Sequence, residues 1–184
     1  GNVDGLLPLI REQTPLIDIN SEISDASVTL FAPDPKYMDS FTQMMGADGA
    51  VSLGDLASNE VYIDKSTAKN LKAEVGDQLI LYAGAKPTIL KLAGVVEGAS
   101  SGGISFVIMP LERAQSIVDK EGQINAIYIS NKGGPVAGAK YSAAVKDKLE
   151  SLLEGTGLEV DTVKKETLDQ ADLAGSALTT MFVA

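Results

Sequence analysis

The stretch EVYIDKSTAKNLKAEVGDQLIL, residues 60–81, decides the fold because it reads as strand, helix, turn and strand within one short run. Residues 60–63 are rich in the side chains that favour a strand. Asp64 or Ser66 then supplies a side chain suited to capping a helical turn that reaches Leu71. A Val-Gly-Asp turn leads into the apolar strand at 78–82. The run therefore predicts a short helix between two strands.

The pattern continues outward from this run as strands mixed with helices. Further strands are predicted at 28–32, 88–96, 104–109, 124–129 and 158–163. Further helices are predicted at 3–10, 37–45, 110–118 and 141–152 from their apolar spacing, with loops at 47–54 and 97–103. The last third reads as strand, long helix, strand, and the middle is mostly strands. We therefore predict an α+β fold, with a change of subdomain near residues 33 and 122.

Composition limits the function classes. The 184 residues are enough for one domain or two small ones, and 45% apolar with 22% charged residues indicates a globular chain. The net charge of −10 and the pI of about 4.4 disfavour binding to nucleic acid or to anionic lipid, because an acidic surface repels phosphates. No nucleic-acid partner is expected.

The chain contains neither cysteine nor histidine. This excludes a thiol nucleophile, a disulfide and a zinc site built from Cys and His. It also removes the side chain that most often serves as a general base near neutral pH. Cysteine content does not identify the compartment here, because its absence fits both the cytoplasm and many extracytoplasmic domains.

Two short motifs have a catalytic and a structural interpretation. The segment GASSG at 98–102 matches the nucleophile pattern G-x-S-x-G, but that chemistry needs a histidine and a following helix. We interpret it as a Gly/Ser-rich mobile loop. The segment STAK at 66–69 matches S-x-x-K, and we interpret it as a helix cap followed by a solvated lysine. A weak Ca²⁺ site among the scattered aspartates is the remaining metal alternative, although their spacing is not that of an EF-hand.

The last twelve residues, 173–184, carry no charge. A bilayer needs about 20 apolar residues to span it, so this run does not span one by itself. We interpret it as the truncated start of a membrane helix. An ordinary terminal helix is the alternative.

Several segments together resemble one family. Residues 60–81, the strand LKLAGVVE at 90–97 and the run VIMPLERAQSIVDKEGQINAIYI at 107–129 resemble permeases of the FtsX/MacB type of ABC transporter. Residues 162–182 resemble that family's run into its second membrane helix. The order and spacing of these segments, rather than any single one, carry the resemblance.

The resemblance implies an extracytoplasmic core domain between two membrane helices. It implies a porter-like βαβ subdomain, membrane-proximal, from residues 1–32 and 122–172. An inserted, mainly β subdomain would span 33–121, and 173–184 would begin a membrane helix. It also implies a cytoplasmic ATP-binding subunit, a second permease unit and localisation at the cell membrane with this domain outside. Family members export peptides or lipids, move lipoproteins or transmit ATP-driven motion.

We therefore predict a non-enzymatic domain that binds a substrate or partner and couples to motion of the membrane helices. No catalytic, cofactor-binding or metal-binding residue is expected. The predicted partner-binding loop consists of Gly98, Ala99, Ser100, Ser101, Gly102 and Gly103. Two alternatives stay open: a stand-alone extracytoplasmic binding or assembly domain, and a hydrolase that uses carboxylates or Ser100.

Overall fold

A computed structural model describes residues 2–41, 43–97, 105–133 and 137–162. These residues form an α+β fold, as predicted. The strands are β1 (Val3–Asp18), β2 (Ile23–Pro33), β3 (Met44–Gly46), β4 (Gly49–Val51), β5 (Glu60–Asp64), β6 (Gln78–Leu81), β7 (Thr88–Val96), β8 (Phe106–Ile108) and β9 (Ala126–Asn131). The α-helices are α1 (Lys65–Leu71), α2 (Leu111–Ile117) and α3 (Ser142–Leu153), and 3-10 helices cover Pro35–Ser40, Leu53–Asp55 and Ala139–Tyr141.

Six of the strands close into a ring. The hydrogen-bonded order is β2-β8-β5-β7-β6-β1, and β1 also pairs with β2. The long strand β1 makes this closure, because its residues 9–18 pair with β2 while residues 16–18 pair with β6. The pairs β2–β8 and β5–β7 are parallel, and the other pairs in the ring are antiparallel. The ring is thus a small mixed β-barrel.

The core lies inside this barrel. Alternate side chains of each strand face inward, as the period of two in a strand requires. The fully buried interior is mostly Leu, Val and Ile, and α1 and α2 add Leu71, Leu111 and Ala114. Burying each large aliphatic side chain contributes about 1.5–3 kcal/mol, so a core of this composition needs neither disulfide nor metal.

The run at 60–81 folds as predicted. Asp64, rather than Ser66, is the N-cap of α1. The helix ends at Lys72, whose φ of 52° is left-handed. Gly76 has a φ of 102°, which a residue with a side chain rarely adopts, so the predicted turn depends on this glycine.

Two predicted elements near the N-terminal end are wrong. Residues 3–10 form part of strand β1 and not a helix, because Leu9 and Ile10 pair with β2 and Pro8 lacks the N–H that a helix interior needs. The predicted helix at 37–45 is a 3-10 helix at Pro35–Ser40 followed by strand β3. The predicted loop at 47–54 contains the turn and second strand of the β3–β4 hairpin.

Two predictions concern the other end of the chain. The strand predicted at 158–163 is wrong, because residues 158–162 do not form a strand. The strand predicted at 124–129 corresponds to β9, and the side chain of Ile127 in it is 56% exposed. The predicted helix at 141–152 corresponds to α3, although no residue of this helix is buried.

The chain divides into two compact units. One consists of residues 6–128 and contains the barrel. The other contains residues 1–5 and the described residues from 129 onward. In this second unit the Asn131 side chain donates hydrogen bonds to the Gly138 carbonyl and to the hydroxyl of Ser142, the first residue of α3. The subdomain boundaries expected near residues 33 and 122 remain a prediction.

None of the helices in the described part of the chain is both long and apolar enough to cross a membrane. The predicted start of a membrane helix at 173–184 lies outside the described residues, as does the predicted partner-binding loop at 98–103.

Candidate partner-binding region around the predicted loop

The two ends of the predicted loop are held by the junction of β5 and α1. Glu97 precedes the loop, and Ser105 and Phe106 follow it. Asp64 and Lys65 are consecutive residues at the junction, and they bind opposite ends of the loop segment.

Glu97 is held by one ion pair and two backbone hydrogen bonds. Lys65 Nζ lies 2.6 Å from Glu97 Oε1. Both side chains are more than half exposed, so the pair contributes at most about 1 kcal/mol to stability. The Glu97 N–H donates to the Met45 carbonyl at 2.8 Å, and the Met45 N–H donates back at 3.3 Å. This bridge connects the start of the loop to the β3–β4 hairpin.

The far end of the loop is held by buried bonds. The Phe106 N–H donates to Asp64 Oδ1 at 2.8 Å, and the Thr29 N–H donates to the Ser105 carbonyl at 2.8 Å. The Ser105 hydroxyl donates to Asp25 at 3.2 Å. Because β8 begins at Phe106 and pairs with both β2 and β5, this end is part of the barrel wall.

Asp64 is the central residue of this junction. Its side chain is 1% exposed and also accepts hydrogen bonds from the Ser66 and Thr67 N–H groups at 3.1 and 3.3 Å. The Thr67 hydroxyl lies 2.5 Å from Asp64 Oδ1. One buried carboxylate thus caps α1 and fixes the start of β8, a second role that sequence reasoning missed. The signal for it was an aspartate directly after a buried strand.

A cavity of about 530 Å³ lies beside the β3–β4 hairpin. Its lining combines apolar side chains (Met38, Met44, Val51 and Leu53) with polar ones (Gln43, Ser52 and Asp55). Met38 and Met44 are 8% and 3% exposed, so they form the packed wall of the cavity. Met45 directly follows Met44, pairs with Glu97 through its backbone, and is 43% exposed. Sequence reasoning missed this cavity because it assigned the hairpin to a helix and a loop.

Tyr62 connects β5 to this hairpin region. Its hydroxyl donates to the Ser52 carbonyl at 3.4 Å. Its ring belongs to a cluster of buried apolar side chains that also contains Met38 and Met44. Burial raises the pKa of Tyr62, and the negative charges of Asp55 and Glu60 add to that effect. The phenol therefore remains neutral at physiological pH and keeps its donor.

The structure brings no reactive constellation to this region among the described residues. In that part of the chain, no cluster of three or more Asp and Glu side chains is arranged to hold a metal ion. Ser66 lies in the first turn of α1, where its N–H donates to Asp64, and Lys69 is exposed. What the region offers is a pair of held residues, Glu97 and Ser105, that flank the segment 98–104, and a cavity of mixed polarity beside the β3–β4 hairpin.

Known proteins with a similar sequence or fold identify the family. The sequence model of the family described as MacB-like periplasmic core domain matches residues 3–152. No curated protein sequence matches the chain.

Two solved structures share the fold. One is the extracellular domain of the noncanonic ABC-type transporter YknZ from Gram-positive bacteria, with a TM-score of 0.52 and 13% identity over 86% of this chain and 79% of that one. The other is the periplasmic region of MacB from Actinobacillus actinomycetemcomitans, with a TM-score of 0.51 and 18% identity over 83% of this chain and 68% of that one. At these identities the likeness concerns the fold alone. The family match over residues 3–152 confirms the predicted resemblance, and the chain belongs to the family of MacB-like periplasmic core domains.

Proposed function

We propose that this extracytoplasmic domain of a MacB/FtsX-like ABC transporter binds a partner protein or substrate through the loop at 98–103 and the adjoining β3–β4 hairpin. The observation that carries the proposal is the attachment of both loop ends to Asp64 and Lys65. A loop with fixed ends loses less conformational entropy on binding than one with free ends. The sequence of the loop consists only of Gly, Ala and Ser, a composition typical of segments that adapt their backbone to a partner.

We further propose that binding couples to ATP-driven motion of the membrane helices. The closed ring supports this, because hydrogen-bonded pairing connects each of its six strands to two neighbours. β8 pairs with β2, and β2 pairs with β1. A displacement at the loop would then reach β1 through these two pairs. The energy source in this scheme is a cytoplasmic ATP-binding subunit, and the permease works as a pair.

The domain itself acts without catalysis in this proposal. The transported molecule is a peptide, a lipid or a lipoprotein. A hydrolase would need a base to activate Ser100, and the chain has no histidine for that role. No cofactor is required for the mechanical role.

A photo-crosslinking experiment in intact cells tests the proposal. A photoreactive amino acid is placed at each position from 98 to 103 of the full-length transporter, and at Val75 as the control. Val75 is 64% exposed and lies beyond the opposite end of α1. We expect a specific crosslinked species from the loop positions and none from Val75.

The same experiment separates binding from coupling. With the ATP-binding subunit inactivated for hydrolysis, the crosslink yield from the loop should change by several-fold. Absence of crosslinks at all six positions overturns the binding proposal. Crosslinks whose yield ignores ATP hydrolysis overturn the coupling proposal and favour a binding or assembly domain without a mechanical role.

A further inference from the structure

An aliphatic row crosses three strands on the outer surface of the barrel. Ile17 of β1 pairs with Ile80 of β6, and Ile80 pairs with Ile89 of β7. Their sequence neighbours Leu16, Leu79, Leu81 and Leu90 are buried in the core, so these three isoleucines face outward. Ile89 is 58% exposed. We call these three residues the isoleucine row.

The isoleucine row runs into a groove of about 440 Å³ beside α2. Ile89 belongs to both the row and the groove. The groove is also lined by the basic side chains of Lys86 and Arg113 and by the acidic side chain of Asp119. The remaining lining is made of short polar and apolar side chains such as Asn59 and Ile117. An aliphatic strip therefore leads directly to a recess that carries two cations and one carboxylate.

The groove is a built feature of the fold. The turn between β6 and β7 packs against the C-terminal end of α2 at Gly84. A Cβ atom at this position would lie 2.0 Å from the Ile117 carbonyl oxygen, a distance no side chain tolerates. Backbone contact at a glycine brings the turn close to the helix and forms one wall of the groove.

Arg113 has donors to spare in this groove. Its Nη1 donates a short hydrogen bond to the Glu60 carbonyl. Among the described residues this is the one acceptor that the guanidinium contacts, and a guanidinium has five N–H donors. Lys86 is exposed and forms no ion pair with any described residue. The charge of the Glu60 carboxylate also acts on the Arg113 guanidinium, and Asp119 lines the same groove, so the two cations are partly balanced while N–H donors of Arg113 remain unused.

This surface is separate from Glu97, the residue that precedes the loop at 98–103. Ile89 lies near the start of β7, and Glu97 follows the end of that strand. The two are eight positions apart, which corresponds to about 26 Å at 3.3 Å per residue. A ligand in the groove therefore does not cover Glu97.

We propose that the isoleucine row and the groove together form a docking surface for an extended acidic segment of a partner protein. An aliphatic side chain of that segment packs on Ile89, and a nearby carboxylate binds Arg113. Arginine binds carboxylates through two parallel N–H···O bonds, which suits the remaining donors here. An extended segment is favoured over an anionic membrane because Arg113 lies in a recess, which a peptide side chain enters and a flat bilayer surface does not.

A peptide titration tests the docking surface on the 184-residue chain. The probe is the capped peptide Ile-Thr-Val-Ser-Glu-Thr, and the matched probe carries Gln in place of Glu. Binding is followed by NMR shifts of backbone amides. We expect shifts at residues 88–90 and 116–119 with a Kd of about 1 mM or tighter, and binding of the Gln peptide weaker by about tenfold.

Substitutions identify the contacts. Arg113→Gln should weaken binding about tenfold, whereas Arg11→Gln, at the other arginine of the chain, should leave it unchanged. Ile89→Ser removes the aliphatic contact at an exposed position and should weaken binding severalfold with the melting temperature preserved. It keeps the test valid even if Arg113→Gln unfolds the chain.

Four results would overturn the docking proposal. The first is the absence of NMR shifts in the groove, and the second is equal binding of the Glu and Gln peptides. The third is movement of the same resonances with protein concentration alone, which would make a second copy of this chain the occupant. The fourth is that anionic phosphatidylserine vesicles shift the groove resonances whereas the peptide does not. Because the loop takes no part in the titration, none of these results bears on crosslinking at 98–103.

Discussion

Replacing Asp64 with alanine should destabilise the domain more than any ordinary helix-cap substitution. The carboxylate caps α1 through the Ser66 and Thr67 N–H groups, and loss of a cap costs about 1 kcal/mol. It also accepts the buried Phe106 N–H, and leaving such a donor unpaired costs about 2 kcal/mol. Together these give a loss of about 3 kcal/mol in the free energy of unfolding for D64A.

Asp34 offers a matched control. It caps the 3-10 helix at Pro35–Ser40 and accepts an exposed hydrogen bond from the Lys36 N–H at 3.0 Å. D34A should therefore cost no more than about 1 kcal/mol. Urea unfolding followed by circular dichroism measures both, and an unchanged dependence on urea shows that the difference lies in stability.

The comparison has a clear refuting result. If D64A and D34A lose the same free energy within about 0.5 kcal/mol, Asp64 acts as a cap alone and does not hold β8. The loop at 98–103 would then lack its fixed end. In D64A we also expect the Phe106 amide to exchange its hydrogen faster than in the D34A variant, because its acceptor is gone.

Three further outcomes follow from other contacts. Gly84→Ala should lower the melting temperature by several degrees, because the added Cβ meets a carbonyl oxygen of α2 at 2.0 Å, whereas Gly54→Ala, with a nearest contact of 3.5 Å, should be nearly neutral by calorimetry. Lys65→Ala should cost less than about 1 kcal/mol in urea unfolding, since its partner Glu97 is exposed; a larger loss would show a stronger ion pair. The backbone N–H of residue 57 lowers the pKa of Glu60 below its usual 4.5, and Lys91 adds to the effect. The charged carboxylate therefore stabilises the fold above pH 4.5, and this stabilisation is lost as the pH falls through the lowered pKa. Acid titration should destabilise the wild type more than Glu60→Gln, and parallel curves of unfolding free energy against pH would contradict this.

Local chemistry made the central run predictable. At 60–81 the strand, the Asp64 cap and the turn at Gly76 each carry their own signal within a few residues. The predicted strands at 28–32 and 88–96 likewise fall inside β2 and β7. In these segments propensity, capping and tertiary pairing agree.

Non-local pairing explains what sequence reasoning missed. Residues 3–10 fit a helical spacing and also place Leu7 and Leu9 on one side of a strand. Pro8 disfavours the helix, and pairing with β2 decides for the strand. Strands β3 and β4 have three residues each, too few to show a period. The candidate loop was located by its small side chains, but its attachment runs from Asp64 to Phe106, 42 positions apart.

Strand β8 sets the order in which the barrel can assemble during translocation. It has three residues, all buried, and it pairs with β2 on one side and β5 on the other. Until residue 108 has emerged on the extracytoplasmic side, β2 and β5 both have unpaired edges, and such edges recruit foreign strands. The preceding hundred residues must therefore remain protected from aggregation while they wait. The shortest strand of the ring thus completes the pairing of two longer ones.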